Sequence, residues 1–95
     1  MAAYVVLSFT TGDYDEWKQR FDSDPAGRKQ SGAVGHVVSR SADDPSEVFV
    51  RVEFAGVDEA RAFRQRLVAS GVLENTGMNL TMGPTAIEAV EATTY

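Results

Sequence analysis

Cysteine is absent from the 95 residues of this chain, and histidine occurs once. The absence of cysteine excludes a disulfide framework, a thiolate nucleophile and a zinc–thiolate site. One histidine with scattered carboxylates does not make a 2-His-1-carboxylate metal site. Neither a Gly-rich phosphate loop nor a Ser-His-Asp arrangement can be placed in the sequence. We therefore expect no metal and no other cofactor.

Long apolar runs and clustered positive charge are also missing. No stretch approaches the roughly 18 apolar residues that a membrane helix requires, and the opening residues lack the basic region of a signal peptide. The net charge is −5 and the seven arginines are spread along the chain, whereas nucleic-acid binding needs clustered Lys and Arg. We expect one cytoplasmic domain over residues 1–95, with no membrane or nucleic-acid partner.

The first part of the chain predicts a strand followed by an amphipathic helix. Residues 4–9 form a nearly continuous apolar run, which is typical of a central strand covered on both faces. Asp13 is a good N-cap, and Glu16 three residues later completes a capping box. The helix that follows carries aromatic side chains at i, i+3 and i+7 on one face: Tyr14, Trp17 and Phe21.

A hairpin is predicted next, with strands over residues 34–40 and 47–54 joined by a turn over 41–46. Opposite charges across the strands favour a register in which Arg40 lies opposite Glu47. In that register His36 lies opposite Arg51, and both face away from the helices. Val37 then packs under the helices with the alternating apolar residues of the second strand, which are Val48, Val50, Val52 and Phe54.

The last part predicts a second helix, a long irregular segment and a final strand. The helix has an apolar stripe of Ala60, Phe63 and Leu67. Residues 71–83 are predicted to form a loop of the length that often forms a lid, with an ordinary mobile connector, which could include a short helical turn, as the alternative. Residues 84–92 are predicted to form the last strand. The order βαββαβ predicts an α+β, ferredoxin-like fold, in which an antiparallel four-stranded sheet carries both helices on one face.

The sheet face away from the helices is expected to need a partner. In the predicted register it carries Val38, Phe49, His36 and Arg51, which is too apolar for a bare sheet and too polar for a dry core. A self-complementary twofold contact covers such a face. We therefore expect a homodimer formed through the sheets, with a monomer that has a partly wet sheet surface as the alternative.

Three segments, in this order, resemble a known superfamily: DYDEWKQRFD, DDPSEVFVRVEF and VDEARAFRQRL. They are similar to the small proteins of the dimeric α+β barrel superfamily, in the group of antibiotic-biosynthesis monooxygenase-like domains. The resemblance covers roughly residues 3–92 and rests mostly on residues that build the fold. It implies two sheets packed face to face into an α+β barrel and a cavity in each subunit between sheet and helices.

The same resemblance implies cofactor-independent oxygenation of a small aromatic or polyketide-like compound. The Asn, Trp and His residues used by haem-degrading members are not found here at matching positions. Trp17 falls on the first helix and His36 on the second strand, so no catalytic role is carried over from them. Fold alone does not assign function.

His36 and Arg51 are the candidate catalytic residues. His36 is the one side chain with a reference pKa near neutrality, so it could act as a general base or anchor a bound phenol or quinol. The alternative is an interface histidine beside Arg51, whose charge disfavours protonation. Arg51 and Glu53 could hold a substrate carboxylate, or they could pair across the dimer seam.

The candidate ligand pocket combines the helix aromatics with residues of the 71–83 segment. Trp17 and its neighbours could bind a flat aromatic ligand, although helical aromatic spacing is also typical of a plain core. Asn75 and Asn79 supply amide groups, and methionines supply adaptable apolar cover. The predicted pocket residues are Tyr14, Trp17, Phe21, Phe63, Asn79 and Met82. The alternative to an enzyme is a non-catalytic homodimer that binds a small hydrophobic or aromatic molecule or serves as a structural partner.

Overall fold

Four antiparallel strands and two helices make up the part of the chain that the computed structural model describes, residues 2–74 and 77–95. In chain order they are β1 (Ala3–Thr11), α1 (Tyr14–Asp22), β2 (Gly35–Arg40), β3 (Glu47–Phe54), α2 (Val57–Ala69) and β4 (Met78–Glu88). The strand order in the sheet is β2-β3-β1-β4, and each neighbouring pair is antiparallel. The predicted ferredoxin-like fold is thereby confirmed.

The core lies on one side of the sheet, because buried apolar residues alternate along β1 and β3. Both helices pack on that side. Trp17 of α1 contacts Phe9 with ring centroids 4.9 Å apart, and Phe63 of α2 contacts Phe54 at 5.3 Å. The buried residues that the central strands contribute are Val5, Leu7, Phe9, Val48, Val50, Val52 and Phe54.

Helix α1 has the predicted N-cap, and both helices bury apolar side chains that the sequence predicts to be buried. The backbone N–H of Glu16 donates to Oδ1 of Asp13 at 3.0 Å, which confirms the N-cap. Trp17 is buried, while the other two aromatic residues of α1 are half-buried. The apolar stripe predicted for α2 is buried along its whole length. None of the helices in the described ranges is long and apolar enough to cross a membrane.

The predicted register of the β2–β3 hairpin is wrong by one residue. Arg40 lies opposite Val48, not opposite Glu47, and His36 lies opposite Val52. Since side chains alternate between the two faces of a strand, this shift exchanges the faces of β2. His36 therefore points to the helix side of the sheet, whereas the sequence placed it on the other side.

The connecting turn explains this register. The backbone N–H of Ser41 donates to the carbonyl of Glu47 at 2.9 Å, so these two residues form the last bonded pair of the hairpin. A cross-strand charge pair contributes only about 0.2–1 kcal/mol, which is less than the burial of an apolar face. Val38, not Val37, is the valine of β2 that packs against the core.

The last strand begins earlier than predicted. β4 starts at Met78, so the prediction of an irregular lid is wrong for residues 78–83; residues 71–74 form turns, and Asn75 lies outside the described residues. The pairing of β4 with β1 shifts register near Ser8, and Gly83 adopts a left-handed φ of 75°. Met78, Leu80 and Met82 alternate with polar residues in the sequence, but the register shift interrupts the period of two and puts Met78 and Met82 on opposite faces of the sheet.

Candidate functional site

A small apolar cavity lies between the sheet and the helices, as the family resemblance implied. Its volume is about 70 Å³, whereas pockets for drug-sized ligands are typically about 300–1,000 Å³. The sheet forms its floor, α1 and α2 form two walls, and residues 24–28 together with Val72, Leu73 and Met78 close it. The apolar residues that line it are Leu7, Trp17, Phe21, Pro25, Ala26, Val50, Val52, Phe63, Leu67, Val72, Leu73 and Met78.

Aromatic rings on α1 pack together along one wall of the cavity. Trp17 and Phe21 are stacked, with centroids 5.0 Å apart and planes inclined by 26°. Tyr14 packs on Trp17 at 5.8 Å, and His36 meets the edge of Phe21 at 4.9 Å. Such ring contacts keep the side chains in fixed positions and contribute about 0.5–1.5 kcal/mol each beyond area burial.

Charged side chains line the cavity where it reaches the surface, a place called its mouth below. In the described part of the chain the charged lining residues are Arg20, Asp24 and Arg28. Arg28 Nε lies 3.2 Å from Oδ1 of Asp24, and its Nη2 donates to the carbonyl of Phe21 at 2.7 Å. The Cζ atom of Arg28 is 3.5 Å from the centroid of the Phe21 ring, a close cation–π contact.

The charges at the mouth perturb one another. Burial lowers the pKa of the Arg28 guanidinium below its ordinary value, although the carboxylates of Asp24 and Asp22 oppose the change. For Asp24, burial acts to raise the pKa. Hydrogen bonds from the backbone N–H groups of Arg28 and Lys29, together with their positive charges, outweigh burial and hold the pKa of this carboxyl below its usual range.

Three of the six predicted pocket residues line the cavity: Trp17, Phe21 and Phe63. Tyr14 packs outside it, beneath the guanidinium of Arg40 at 4.7 Å. Asn79 is exposed and lies opposite Thr10 on β1. Met82 lines a depression on the other face of the sheet.

Sequence reasoning missed the turn that holds Arg28, and it missed Met78. No motif distinguishes Arg28 from the other arginines of the chain. The alternation of Met78, Leu80 and Met82 with polar residues was the signal that could have started the last strand earlier and placed Met78 next to the core.

The two candidate catalytic residues lie on opposite faces of the sheet, so they do not form one site. His36 is exposed on the helix side. Desolvation lowers the pKa of its imidazole, and the positive charges of Arg28 and Lys18 lower it further. Arg51 lies on the other face, with its Cζ atom 5.0 Å from the centroid of the Tyr4 ring.

The sheet face that carries no helix, called the open face below, has large apolar side chains at its surface. Val37 is 45% exposed, Phe49 40%, Met82 45% and Ile87 40%. A shallow depression of about 440 Å³ runs among the first three of these residues and Arg51. A contiguous apolar patch of this kind is typical of an interaction surface.

Within residues 2–74 and 77–95, no group of three His, Asp or Glu side chains converges on a point that could hold a metal ion.

Comparison with known proteins gives matches only among solved structures. No family model matches the chain, and no curated protein sequence matches it. SnoaB from Streptomyces nogalater, described as a cofactor-independent oxygenase, superposes with a TM-score of 0.70; the two chains are 16% identical over 96% of this chain and 95% of that one.

Two further structures carry the same class name. A candidate antibiotic biosynthesis monooxygenase from Bordetella bronchiseptica gives a TM-score of 0.69, with 14% identity over 97% of this chain and 98% of that one. Another from Deinococcus radiodurans gives 0.60, with 16% identity over 100% and 98%. Identities this low show the fold alone. The chain thus has the fold of the antibiotic-biosynthesis monooxygenase-like proteins, as the sequence resemblance predicted.

Proposed function

We propose that this protein is a cofactor-independent monooxygenase-like enzyme that acts on a small aromatic or polyketide-like compound bound in the cavity. The observation that carries the proposal is the cavity itself. It is apolar, walled by stacked aromatic rings and charged only at its mouth, and it occurs in a fold shared with SnoaB, which is described as a cofactor-independent oxygenase.

The proposed reaction needs no external reductant. An activated CH₂ group of the substrate is oxidised to a carbonyl, one oxygen atom of O₂ enters the product, and the other leaves as water with the two substrate hydrogens. The substrate supplies all four electrons once it has lost a proton. A protein promotes this reaction by stabilising the substrate anion and by keeping water from the reactive intermediate.

The described residues meet these two requirements in different ways. Trp17 and Phe21 line the cavity and help to exclude water from it, and the guanidinium groups at the mouth favour negative charge on the substrate. His36 stays the candidate proton acceptor, because its lowered pKa keeps the imidazole neutral near pH 7. It contacts Phe21 but does not line the cavity, so the substrate proton must leave the cavity to reach it.

The cavity must widen to admit a ring. A cavity of roughly 150 Å³ accepts benzene, which is about twice the volume found here. Segment 24–28 closes one side, and its side chains are small apart from that of Arg28. We propose that its outward movement admits the substrate.

We further propose that the protein is a homodimer whose subunits meet through the open face. Half-exposed apolar side chains on this face would be buried by a second copy. Arg51 and Glu53 lie on the same face of β3, so opposite charges are available to meet across a twofold axis.

Oxygen uptake with anthrone, a tricyclic compound with an activated CH₂ group, tests the proposed reaction. We expect the purified protein to consume one O₂ per anthraquinone formed, to place one labelled atom from ¹⁸O₂ in the product, and to keep its rate in the presence of a chelator. A rate equal to that of heat-denatured protein contradicts the proposal.

A matched pair of variants on α2 shows whether the cavity is the site. Leu67 lines the cavity and is 7% exposed, whereas its neighbour Val68 is 50% exposed. Leu67→Phe fills the cavity at a cost of about 1–3 kcal/mol in stability and should abolish oxygen uptake. Val68→Phe should leave it unchanged. Equal activity of the two variants places the reaction elsewhere.

A non-catalytic homodimer that binds a small molecule or serves as a structural partner is the second candidate. The observation that favours it is the small volume of the cavity. Under this function the protein binds aromatic compounds without oxygen uptake, or it forms the dimer alone.

A further inference from the structure

Arg28 occupies an unusual position for a charged side chain in this protein. Its side chain is only 12% exposed, and it lies at the point where segment 24–28 closes the cavity. Three contacts hold it there: the carboxylate of Asp24, the carbonyl of Phe21 and the face of the Phe21 ring. No partner for Nη1 is found among the described residues. A guanidinium has five N–H donors, so Arg28, which lines the cavity, keeps unused hydrogen-bonding capacity.

The mouth of the cavity carries charges of both signs. The chain carries a net charge of −5, yet the charged residues that line the mouth are two arginines and one aspartate. Arg20 also pairs with Glu16 on the solvent side of α1, where the pair is exposed and therefore weak. Glu16 offsets the charge of Arg20, so Arg28 is the cation of the mouth that an anionic group on a bound molecule could use.

The carboxylate of Asp24 can release Arg28 without losing all its own partners. Its Oδ1 accepts a hydrogen bond from the backbone N–H of Arg28 at 2.7 Å, and its Oδ2 accepts one from the backbone N–H of Lys29 at 3.4 Å. If another oxyanion takes the guanidinium, Asp24 still keeps these two bonds. The exchange thus avoids a buried, unpaired carboxylate, which is the costly outcome of breaking such a pair.

We propose that Arg28 recognises the ligand of the cavity by binding its acidic oxygen, a carboxylate, phenolate or enolate, in exchange for the side chain of Asp24. This inference rests on the proposed binding of an aromatic compound in the cavity and narrows it to aromatic anions. The ring of the ligand lies inside the cavity that Trp17 and Phe21 line, and its oxyanion lies at the mouth. The fork of the guanidinium suits a planar oxyanion better than an ammonium does.

Calorimetric titration with a matched pair of ligands tests the inference. The probes are 1-hydroxy-2-naphthoate, which is anionic at pH 7, and its neutral carboxamide of nearly the same shape. We expect the wild-type protein to bind the acid about ten-fold more tightly than the amide, a difference of about 1.4 kcal/mol. Arg28→Gln should remove this preference by weakening the binding of the acid while leaving the binding of the amide unchanged. Asp24→Asn, which keeps an acceptor for the backbone N–H of Arg28, should strengthen the preference for the acid.

Arg40→Gln is the control, because Arg40 also lies on an aromatic ring of α1 but does not line the cavity. It should change neither affinity. Since Arg28 also holds its turn in place, Arg28→Lys is a second variant. It keeps the charge without the fork, and it should retain part of the preference for the acid with an unchanged circular dichroism spectrum.

Three results would overturn the inference: equal binding of acid and amide by the wild type, equal weakening of both by Arg28→Gln, or no binding of either. The outcome is separable from that of the proposed reaction. A protein that prefers the acid but consumes no oxygen supports this inference and contradicts the oxygenation. A protein that oxidises anthrone but binds acid and amide equally contradicts this inference alone.

Discussion

Val37→Lys tests the proposed dimer and the register of the hairpin in one variant. Val37 is 45% exposed on the open face, and it lies opposite Arg51 in the observed register. In the register that charge pairing suggested, the same residue would pack under the helices. A lysine at a solvent-exposed position of a strand is tolerated, whereas a lysine in the core is not.

The magnitude follows from the exposed fraction. Full burial of a valine contributes about 1.5–3 kcal/mol, so burying the exposed part of Val37 contributes roughly 1 kcal/mol per subunit. A twofold dimer contains this contact twice, so the two copies of Val37 together contribute about 2 kcal/mol to the free energy of dimerisation. Losing both contacts raises the dissociation constant roughly thirty-fold. Burying two lysine charges adds several kcal/mol more. We therefore expect Val37→Lys to be monomeric at micromolar concentration.

Sedimentation equilibrium measures the dissociation constant, and circular dichroism measures the melting temperature. Val68→Lys is the control, since Val68 is 50% exposed but lies on α2; it should leave the dimer intact. A wild-type monomer at micromolar concentration refutes the proposed dimer. Unfolding of Val37→Lys under conditions in which Val68→Lys stays folded refutes the assignment of Val37 to the open face.

Two further predictions concern the backbone of β4 and the charge of the histidine. Gly83→Ala should lower the free energy of unfolding by more than about 2 kcal/mol, because φ is 75° and the added Cβ meets the carbonyl of Val6. Gly35→Ala is the control, since a Cβ at that position has nothing within 4 Å. Equal urea denaturation midpoints for the two variants would contradict this reasoning. In an NMR titration the pKa of His36 should lie below 6.5 and rise in Arg28→Gln, since Arg28 is one cause of the depression. Between the pKa of His36 in the folded protein and its ordinary value of 6.5, the unfolded chain binds more protons than the folded one. The stability contributed by His36 is therefore lost as the pH falls through that window. An unchanged pKa in Arg28→Gln would show that Arg28 does not act on the imidazole.

The strand and helix pattern was predictable because local burial leaves a clear period in the sequence. Every second residue of β3 is apolar from Val48 to Phe54, and the stripe of α2 has helical spacing. The hairpin ends at Arg40 and Glu47 were also recognisable from the turn residues between them. These features depend on nearest neighbours along the chain, and the structure confirms them.

The site was less predictable, because it depends on contacts between distant segments. The aromatic residues of α1 could be recognised as one face, but a cavity rather than a filled core follows from how α1, α2 and β4 pack together. Arg28 carried no signal, since its position results from a left-handed residue at Asp24, with φ of 55°. Met82 was assigned to the pocket because the bulged start of β4 was read as a loop.

The sequence by itself determined that this chain forms a βαββαβ unit with one strongly apolar sheet face, because periodicity and capping are local properties. Only the tertiary structure decided which way β2 faces, and hence that His36 and Arg51 lie on opposite sides of the sheet. A shift of one residue costs little in strand propensity but exchanges the two faces, so the hydrogen bonds of the turn and the burial of Val38 settle it. The tertiary structure likewise brings Arg28 to the mouth of the cavity, through contacts that no local pattern encodes.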